Sequence, residues 1–112
     1  MTDDELVEAF KAVAHPVRLR ILQVLAGAER NVGEIDEAAE IGQPSLSQQL
    51  AVLRNAGLVA TRKQAKLVFY RIEEDKLAAM ATVLGGFASV ALEPQRASRR
   101  PAAGVANFAR LG

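Results

Sequence analysis

The chain of 112 residues contains no cysteine and no tryptophan, a single histidine and only 4% aromatic residues. The lack of cysteine excludes disulfides, thiolate metal sites and thiol redox chemistry, and one imidazole cannot supply a transition-metal site alone. No apolar run reaches the about 18 residues of a transmembrane helix, and the acidic opening MTDDELVEAF is the reverse of a basic signal peptide. We therefore predict one cytoplasmic domain without a cofactor or membrane partner.

Carboxylates are also missing from one block in the middle of the chain. Residues 44–72 carry five basic side chains and no acidic one, whereas residues 1–43 carry 4 basic and 9 acidic side chains. The formal net charge of +1 hides this asymmetry. A basic block of this kind indicates a polyanionic partner. The alternative, from charge alone, is a solvated pair of strands that happens to lack carboxylates.

Three helices are predicted ahead of this block. Capping residues and proline mark where they begin, and small residues mark where they end. The predicted boundaries are Thr2 with Glu5 and then Ala14, Pro16 and then Gly27, and Asn31 with Glu34. The buried stripe of the second helix is predicted to be Leu19, Leu22 and Leu25. His15 is the only side chain expected to titrate near neutral pH. A cap or hinge is its ordinary interpretation, and a proton or carboxylate sensor is the alternative.

A fourth helix and a hairpin make up the basic block. The link IGQ before the helix is very short, Pro44 is its predicted first residue, and it is predicted to end at residues 55–57. Its core face is Leu46, Leu50 and Leu53, at the helical spacing i, i+4, i+7. From Leu58 the period changes to two, and LVATRK and KLVFYRI flank a tip at Gln64-Ala65, which predicts a short hairpin.

The last part of the chain is predicted to be one more helix and a tail. The helix runs from Glu73 to about Ala91, with Leu77, Met80, Leu84 and Phe87 facing inward. The pair Gly85-Gly86 predicts a kink or a split in this helix, or its frayed end. Residues 93–112 are turn-rich and basic and are expected to form a flexible tail, which leaves residues 1–92 as the folded domain.

Two short helices joined by a glycine-containing turn predict a helix-turn-helix, and the basic hairpin makes it a winged helix. The fold class is thus mainly α with about five helices and a small β-hairpin wing. In this fold the second helix of the motif enters the DNA major groove. At about 100° per residue, Pro44, Gln48 and Ala51 point away from the core, with Ser45 and Ser47 beside them. Gln pairs with adenine in a bidentate way, and Ser bonds to bases or phosphates.

The predicted DNA-binding side chains therefore form two groups. The helix contributes Gln43, Ser45, Ser47 and Gln48, with Gln49 nearer the buried side and Arg54 towards the end, and the wing contributes Arg62, Lys63 and Lys66. The wing residues are expected to meet phosphate or a minor groove. The alternative is a protein-interaction module, which predicts an uncharged wing and apolar residues exposed on the fourth helix. An enzyme is disfavoured because His15 has no evident catalytic partners.

The stretches FKAVAHPVRLRILQVL, QPSLSQQLAVLRNAGLV and TRKQAKLVFYRI resemble the ArsR family of bacterial winged-helix repressors in order and spacing, over roughly residues 6–72. The resemblance implies binding of double-stranded promoter DNA at an inverted repeat, with repression relieved by an inducer. It implies DNA contacts from Gln43, Ser45, Ser47, Gln48, Lys63 and Lys66. It also implies a homodimer built by the first and last helices, at an interface of Leu6, Phe10, Leu77, Met80, Leu84 and Phe87.

Departures from the family concern the inducer. Some metal-sensing members carry Cys-x-Cys on the third helix, where this chain has NVGEIDEAAEI. Others carry Asp, His, His and Glu on the last helix. Here Asp75 is followed two residues later by Leu77, and Ala88 and Ala91 occupy the later positions. The wording SQQLAVLR is similar to the sulfide-responsive branch, whose members use two cysteines, and Gln23 stands where the first is expected. Ala65 replaces the glycine common at the wing tip. These departures predict an unidentified signal that acts without a thiol or a metal, and a small-molecule inducer is one candidate for it.

Overall fold

The computed structural model describes residues 1–88, which form five helices and three strands. In chain order these are α1 (Asp3–Val13), α2 (Pro16–Leu25), β1 (Arg30–Asn31), α3 (Val32–Ala39), α4 (Ser45–Asn55), β2 (Val59–Gln64), β3 (Leu67–Ile72) and α5 (Glu74–Ala88). The predicted class, mainly α with a small wing, is confirmed. Of the described residues, 1–80 form one compact unit and 81–88 belong to a second, so α5 contributes residues to both.

Capping boxes begin two of the helices as predicted. At α1, the Glu5 N–H donates to Thr2 Oγ1 at 3.1 Å, and the Thr2 N–H donates to Glu5 Oε1 at 2.8 Å. At α3, Asn31 and Glu34 form the same reciprocal pair, both bonds being 2.9 Å long. Each pair satisfies backbone N–H groups that a helix cannot bond internally. The sequence therefore places both helix starts correctly.

The start of α2 is confirmed, but its predicted buried stripe is partly wrong. His15 caps the helix, because its Nδ1 accepts a hydrogen bond from the Val17 N–H at 3.1 Å. Leu19 was predicted to be buried and is 45% exposed, while Ile21 is fully buried. Leu19 and Leu25 are six residues apart and lie about 120° apart around the helix, whereas Ile21 and Leu25 lie only about 40° apart. The stripe therefore follows Ile21 and excludes Leu19.

The core is aliphatic, as the shortage of aromatic residues predicts. Its buried members come from α1 to α5 and from the start of the hairpin, and they are Ala9, Ala12, Ile21, Leu22, Leu25, Ile35, Leu46, Leu50, Leu53, Leu58, Val59 and Met80. The predicted core face of α4 is confirmed, since Leu46, Leu50 and Leu53 are each at most 1% exposed. Burying each leucine contributes about 1.5–3 kcal/mol. These three side chains hold α4 against the rest of the unit, with its opposite side outward.

The connection between α3 and α4 is a tight turn. Glu40 has φ 56° and Gly42 has φ 83°, which are left-handed backbone conformations that favour glycine at the second position. Asp36 holds the turn, because its Oδ1 accepts a hydrogen bond from the Gly42 N–H at 2.8 Å. Pro44 was predicted to be the first helical residue and lies one residue before α4. The two helices of the predicted helix-turn-helix are therefore joined as expected.

The end of α4 sets the path of the chain into the hairpin. The Gly57 N–H donates to the Arg54 carbonyl and the Leu58 N–H donates to the Leu53 carbonyl, both at 3.0 Å. With Gly57 at φ 77°, these two bonds form a Schellman motif. Leu53 and Leu58 are both buried, so a hydrophobic contact accompanies the motif. The predicted stop at residues 55–57 is confirmed.

The wing belongs to a three-stranded antiparallel sheet of order β1-β3-β2. In the β2–β3 hairpin, Val59 pairs with Ile72 at one end and Gln64 pairs with Leu67 at the other. The tip is therefore Ala65-Lys66, one residue beyond the predicted Gln64-Ala65. Ala65 has φ 55°, so it adopts the left-handed conformation that glycine would adopt more readily. The two-residue strand β1 was not predicted because it is too short to show a period.

Helix α5 departs from its predicted pattern. It is continuous through Gly85 and Gly86, so the predicted split is wrong. Leu84 and Phe87 were predicted to face inward, and they are 53% and 79% exposed. The predicted end near Ala91, the boundary at residue 92 and the tail at 93–112 lie outside the described residues. Within residues 1–88, no helix is long and apolar enough to cross a membrane.

Candidate nucleic-acid interface

The outward side of α4 carries the polar residues that the helical spacing placed there. Ser47 and Gln48 are exposed, Ser45 is half-buried, and Gln43 is exposed two residues before the helix begins. We call these four residues the recognition face. The first turn of α4 contains no acidic residue, which leaves its positive N-terminal dipole uncompensated by side chains. The arrangement offers neutral hydrogen-bonding groups beside a helix end that attracts anions.

Gln43 has a structural role in addition to its predicted one. Its Oε1 accepts a hydrogen bond from the Ser47 N–H at 3.0 Å and another from Ser47 Oγ at 2.7 Å. Pro44, at the capping position, has no side chain that can accept a bond. The Gln43 side chain therefore satisfies an N–H in the first turn of α4 that would otherwise lack a partner. Gln43 and Ser47 therefore belong to the recognition face and also form the hydrogen bonds that cap α4.

Gln49 is half-buried and is held by the preceding helices. Its Oε1 accepts a hydrogen bond from Arg18 Nη1 at 2.7 Å. Arg18 is itself fixed to the end of α1, since its Nε donates to the Ala12 carbonyl at 2.6 Å and its Nη2 to the Lys11 carbonyl at 3.4 Å. A cation at this place also complements the negative C-terminal end of α1. Arg18 thus connects α1 to the flank of α4.

Sequence patterns did not identify Arg18, although a signal for it exists. Arg18 lies three residues before Ile21 and seven before Leu25, so it lies on the buried side of α2. An arginine on a buried side needs acceptors, because its five N–H donors are costly to leave unpaired. The free carbonyls at the end of the preceding helix were available partners. The spacing alone could not indicate that Gln49 is the third hydrogen-bond acceptor for Arg18.

In the wing, the guanidinium of Arg62 is engaged within the chain. Its Nε and Nη2 donate to the two carboxylate oxygens of Glu29 at 2.8 Å and 2.7 Å, and Nη1 donates to Gln64 Oε1 at 2.7 Å. The guanidinium carbon also lies 4.8 Å from the centre of the Phe69 ring, a cation–π geometry. The hydrogen bonds from Arg62 lower the pKa of the Glu29 carboxyl, and those to Glu29 raise the pKa of Arg62.

Glu29 changes the predicted charge of the wing. Residues 44–72 contain no acidic residue, but the fold brings one next to them. Glu29, 33 positions before Arg62 in the sequence, pairs with it. Glu73 likewise lies 3.7 Å from Arg71. Two of the five basic side chains of residues 44–72 therefore have a carboxylate partner within the chain. Arg62 has one charged partner before any ligand arrives, and its expected contact with DNA has to compete with a bidentate ion pair.

Three cations of the predicted set stay available. Lys63 and Lys66 are exposed at the end of the wing, and Arg54 is exposed in the last turn of α4. None of the three forms an ion pair within the described residues. Helix α4 does expose one large apolar side chain, that of Val52, which is 39% exposed. The interaction-module alternative predicts such exposure. The wing nevertheless keeps two free lysines, which the interaction-module alternative does not predict.

The predicted dimer-interface residues fall into different environments. In residues 1–80, Leu6, Phe10 and Leu77 are half-buried against the core, and Met80 is only 4% exposed because it lies in that core. Little of Met80 is left for a partner chain. In the second unit, Leu84 and Phe87 are largely exposed. Among residues 1–88 there is also no group of three or more His, Cys, Asp or Glu side chains that could hold a metal ion.

The helix-turn-helix of α3 and α4, followed at once by a hairpin with lysines at its tip, defines a winged helix-turn-helix protein. The family model described as bacterial regulatory protein, arsR family, matches residues 15–61. The biofilm growth-associated repressor of Agrobacterium fabrum (strain C58) is 49% identical over 80 residues, which cover 71% of this chain and 68% of that protein. The chain belongs to the ArsR family of bacterial regulatory proteins. It is a transcriptional regulator and not an enzyme.

Two further relatives have solved structures. The transcriptional activator HlyU of Vibrio cholerae is 45% identical over 78 residues, and its structure superposes with a TM-score of 0.65, covering 78% of this chain and 97% of that one. A solution structure from Mycobacterium bovis is that of a homodimeric winged helix-turn-helix DNA-binding domain. It is 33% identical, with a TM-score of 0.64, and covers 75% of this chain and 84% of that one. Both similarities support the same fold and family.

Proposed function

We propose that this protein represses transcription by binding an imperfect inverted repeat in promoter DNA as a homodimer, and that an inducer releases it. The observation that carries the proposal is the recognition face, which is neutral and exposed, beside a wing with two unpaired lysines. Repression is favoured because the relative from Agrobacterium fabrum is named a repressor. The relative from Vibrio cholerae is named an activator, so the direction of regulation needs its own assay.

The two parts of the interface take different tasks in this proposal. Ser45, Ser47 and Gln48 contact base edges in the major groove, where hydrogen-bonding groups distinguish the base pairs. Lys63 and Lys66 neutralise phosphates or enter a minor groove, which contributes affinity that hardly depends on sequence. Arg54 is a further phosphate contact. Arg62 stays with Glu29 and shapes the wing, in place of its predicted contact with DNA.

Dimerisation is proposed through the first and last helices. A homodimer of winged helices places two equivalent α4 helices on successive major grooves, which explains why an inverted repeat suits it. The homodimeric domain from Mycobacterium bovis supports this assembly. The exposed apolar side chains of Leu84 and Phe87 are consistent with burial by a second chain. Leu6, Phe10 and Leu77 are proposed for the same interface, and Met80 is withdrawn from it.

The inducer is proposed to be a small molecule that acts without a thiol or a bound transition metal. The complete lack of cysteine supports the first part, and the single histidine supports the second. The cytoplasmic location of the protein stays a prediction.

A selection experiment tests the proposal. The full chain is mixed with a pool of DNA duplexes with randomised centres, bound duplexes are recovered and sequenced, and the dissociation constant and sedimentation mass are measured on the recovered sequence. We expect an inverted repeat bound by two chains, with scrambled duplex bound at least about 1000-fold more weakly at physiological salt. Recovery of no preferred sequence, together with equal binding of scrambled duplex, would contradict the proposal and support the interaction-module alternative.

A further inference from the structure

We propose that hydrogen bonds within the chain decide which side chains at α4 donate hydrogen bonds to DNA and which accept them. Gln43 and Gln49 act as donors, and Ser47 acts as an acceptor. This inference rests on the proposed binding of DNA. It adds which DNA groups can be hydrogen-bond partners of these side chains. It also gives a role in DNA binding to Gln49, which is held at the flank of α4.

The amide of Gln49 has one possible orientation in its contact with Arg18. A guanidinium carries N–H donors and no acceptor. The Gln49 atom that lies 2.7 Å from Arg18 Nη1 must therefore be the carbonyl oxygen. Arg18 cannot easily rotate away, because its Nε is bound to the Ala12 carbonyl at 2.6 Å. The amide nitrogen of Gln49 keeps both of its N–H groups for another partner, while the oxygen keeps only one lone pair.

The same reasoning orients Gln43. The Ser47 backbone N–H can only donate, so the Gln43 atom 3.0 Å from it must be the carbonyl oxygen. The Ser47 hydroxyl lies 2.7 Å from the same oxygen and must give it its only proton. The Gln43 oxygen thus has both lone pairs in use, and its amide N–H groups remain. The Ser47 hydroxyl oxygen keeps its lone pairs and can only accept a further bond.

These orientations select the chemistry of the partner. An unconstrained glutamine pairs with adenine by donating and accepting at once. Gln43 cannot do this, since its oxygen is saturated, whereas the Gln49 oxygen keeps one lone pair beside its bond from Arg18, so Gln49 offers two free donors and one constrained acceptor. Their N–H groups suit oxygen or nitrogen acceptors, which are phosphate oxygens or the major-groove acceptors of guanine, adenine (N7) and thymine. Gln48 has no hydrogen bond from its side chain within the described residues and keeps both options.

Replacing each glutamine by glutamate separates the two roles. Gln49→Glu and Gln43→Glu keep an oxygen for Arg18 and for the Ser47 N–H, but remove the N–H donors. We expect the thermal unfolding midpoint to be unchanged or higher, since Gln49→Glu creates an ion pair with Arg18. We expect the dissociation constant for the selected duplex to rise about tenfold or more for each variant. Full-length protein and a fluorescent duplex are sufficient for both measurements.

The added negative charge needs its own control. Asn55→Asp is an equally conservative change at an exposed residue at the end of α4, outside the proposed contacts. We expect it to change the dissociation constant by less than about threefold, the range of a screened surface charge. The losses in the two glutamate variants should persist as salt rises, because a missing donor is not restored by screening. Repulsion from phosphate would fade, since the Debye length falls to about 3 Å at 1 M salt.

A second selection with Gln49→Glu identifies the acceptor. An unchanged preferred sequence with uniformly weaker binding indicates a phosphate oxygen, and a changed preference at one position indicates an acceptor on a base, which is guanine, adenine N7 or thymine. Either result supports the inference. Wild-type affinity in both glutamate variants would overturn it, as would a loss that Asn55→Asp reproduces or that disappears at high salt. If the wild-type chain itself prefers no DNA sequence, the proposed function fails first, and this outcome is distinct from failure of the donor assignment.

Discussion

Helix α4 and the wing are the two parts of the proposed DNA interface, and they are built in opposite ways. At the start of α4, the groups proposed to contact DNA are neutral, and Gln43 and Gln49 already use their carbonyl oxygens to accept hydrogen bonds within the chain. In the wing, the groups are charged. Arg62 forms an ion pair with Glu29, whereas Lys63 and Lys66 form none within the described residues. Each region thus uses part of its polar capacity to fix its own geometry and leaves the rest exposed.

This contrast teaches why the two regions suit different tasks. Neutral hydrogen bonds depend on direction, so a helix whose side chains are oriented beforehand can discriminate between bases with little loss of conformational entropy. Charge acts over a longer range and depends little on direction, so flexible exposed lysines can meet phosphates of any sequence. The prediction is that substitutions in α4 alter specificity and that substitutions in the wing alter affinity.

The largest effect is expected from removing both free lysines of the wing. Lys63→Ala with Lys66→Ala should weaken binding to selected and scrambled duplexes alike, because two phosphate contacts disappear. The slope of log affinity against log salt should fall by about 0.9 per contact, which corresponds to about 60-fold for the pair at 0.1 M salt. A fluorescence titration across salt concentrations measures it. A slope identical to that of the wild type would reject the role of the lysines.

A smaller and more selective effect is expected from Gln48→Ala. This residue faces away from the core, so the fold should stay intact, while binding to the selected duplex weakens about tenfold and binding to scrambled duplex hardly changes. The matched control is Gln23→Ala, which removes an exposed glutamine of α2 that lies outside the proposed interface and should bind like the wild type. Unchanged affinity of Gln48→Ala in a gel-shift titration would remove Gln48 from the recognition face.

A still smaller effect on the salt slope is expected at Arg62. Arg62→Gln removes a cation that Glu29 already neutralises, so the slope should change by less than half of the about 0.9 expected for one free lysine. Glu29→Gln should do the opposite, because it frees the guanidinium, and should make the slope slightly steeper. If Arg62→Gln flattens the slope as much as Lys63→Ala does, the ion pair opens on DNA and Arg62 is a phosphate contact after all.

No effect is expected from zinc or polysulfide. The chain has no thiol, and residues 1–88 bring together no metal-binding group. Adding either reagent at micromolar concentration to the protein–DNA complex should therefore leave the bound fraction unchanged in a gel-shift assay. Release of DNA by zinc would contradict the proposal of a metal-free signal.

The sequence predicted the parts of the fold that depend on neighbouring residues. Helix caps and the leucine stripe of α4 are short-range patterns, so Thr2, Asn31 and Leu50 were placed correctly. The pairing of Glu29 with Arg62 links positions 33 residues apart and leaves no local trace. Leu19 failed because three leucines at equal spacing do not follow the helical period as closely as Ile21 and Leu25 do.

The site shows the same limit. Helical angles identified Gln48 and Ser47 as outward, and the structure agrees. They could not show that Gln43 caps α4 or that Arg18 holds Gln49, because those bonds depend on how a turn and two helices pack. Periodicity also cannot tell which chain covers an apolar stripe, which is why Phe87 was predicted to face inward and is exposed.

The division between specificity and affinity is tested most directly by one ratio, the affinity for the selected duplex divided by that for a scrambled duplex at fixed salt. We predict that Gln48→Ala lowers this ratio about tenfold. The double substitution of Lys63 and Lys66 should leave the ratio within about threefold of the wild type, because phosphate contacts do not depend on sequence. A ratio that falls with the lysines and stays constant in Gln48→Ala would contradict the account.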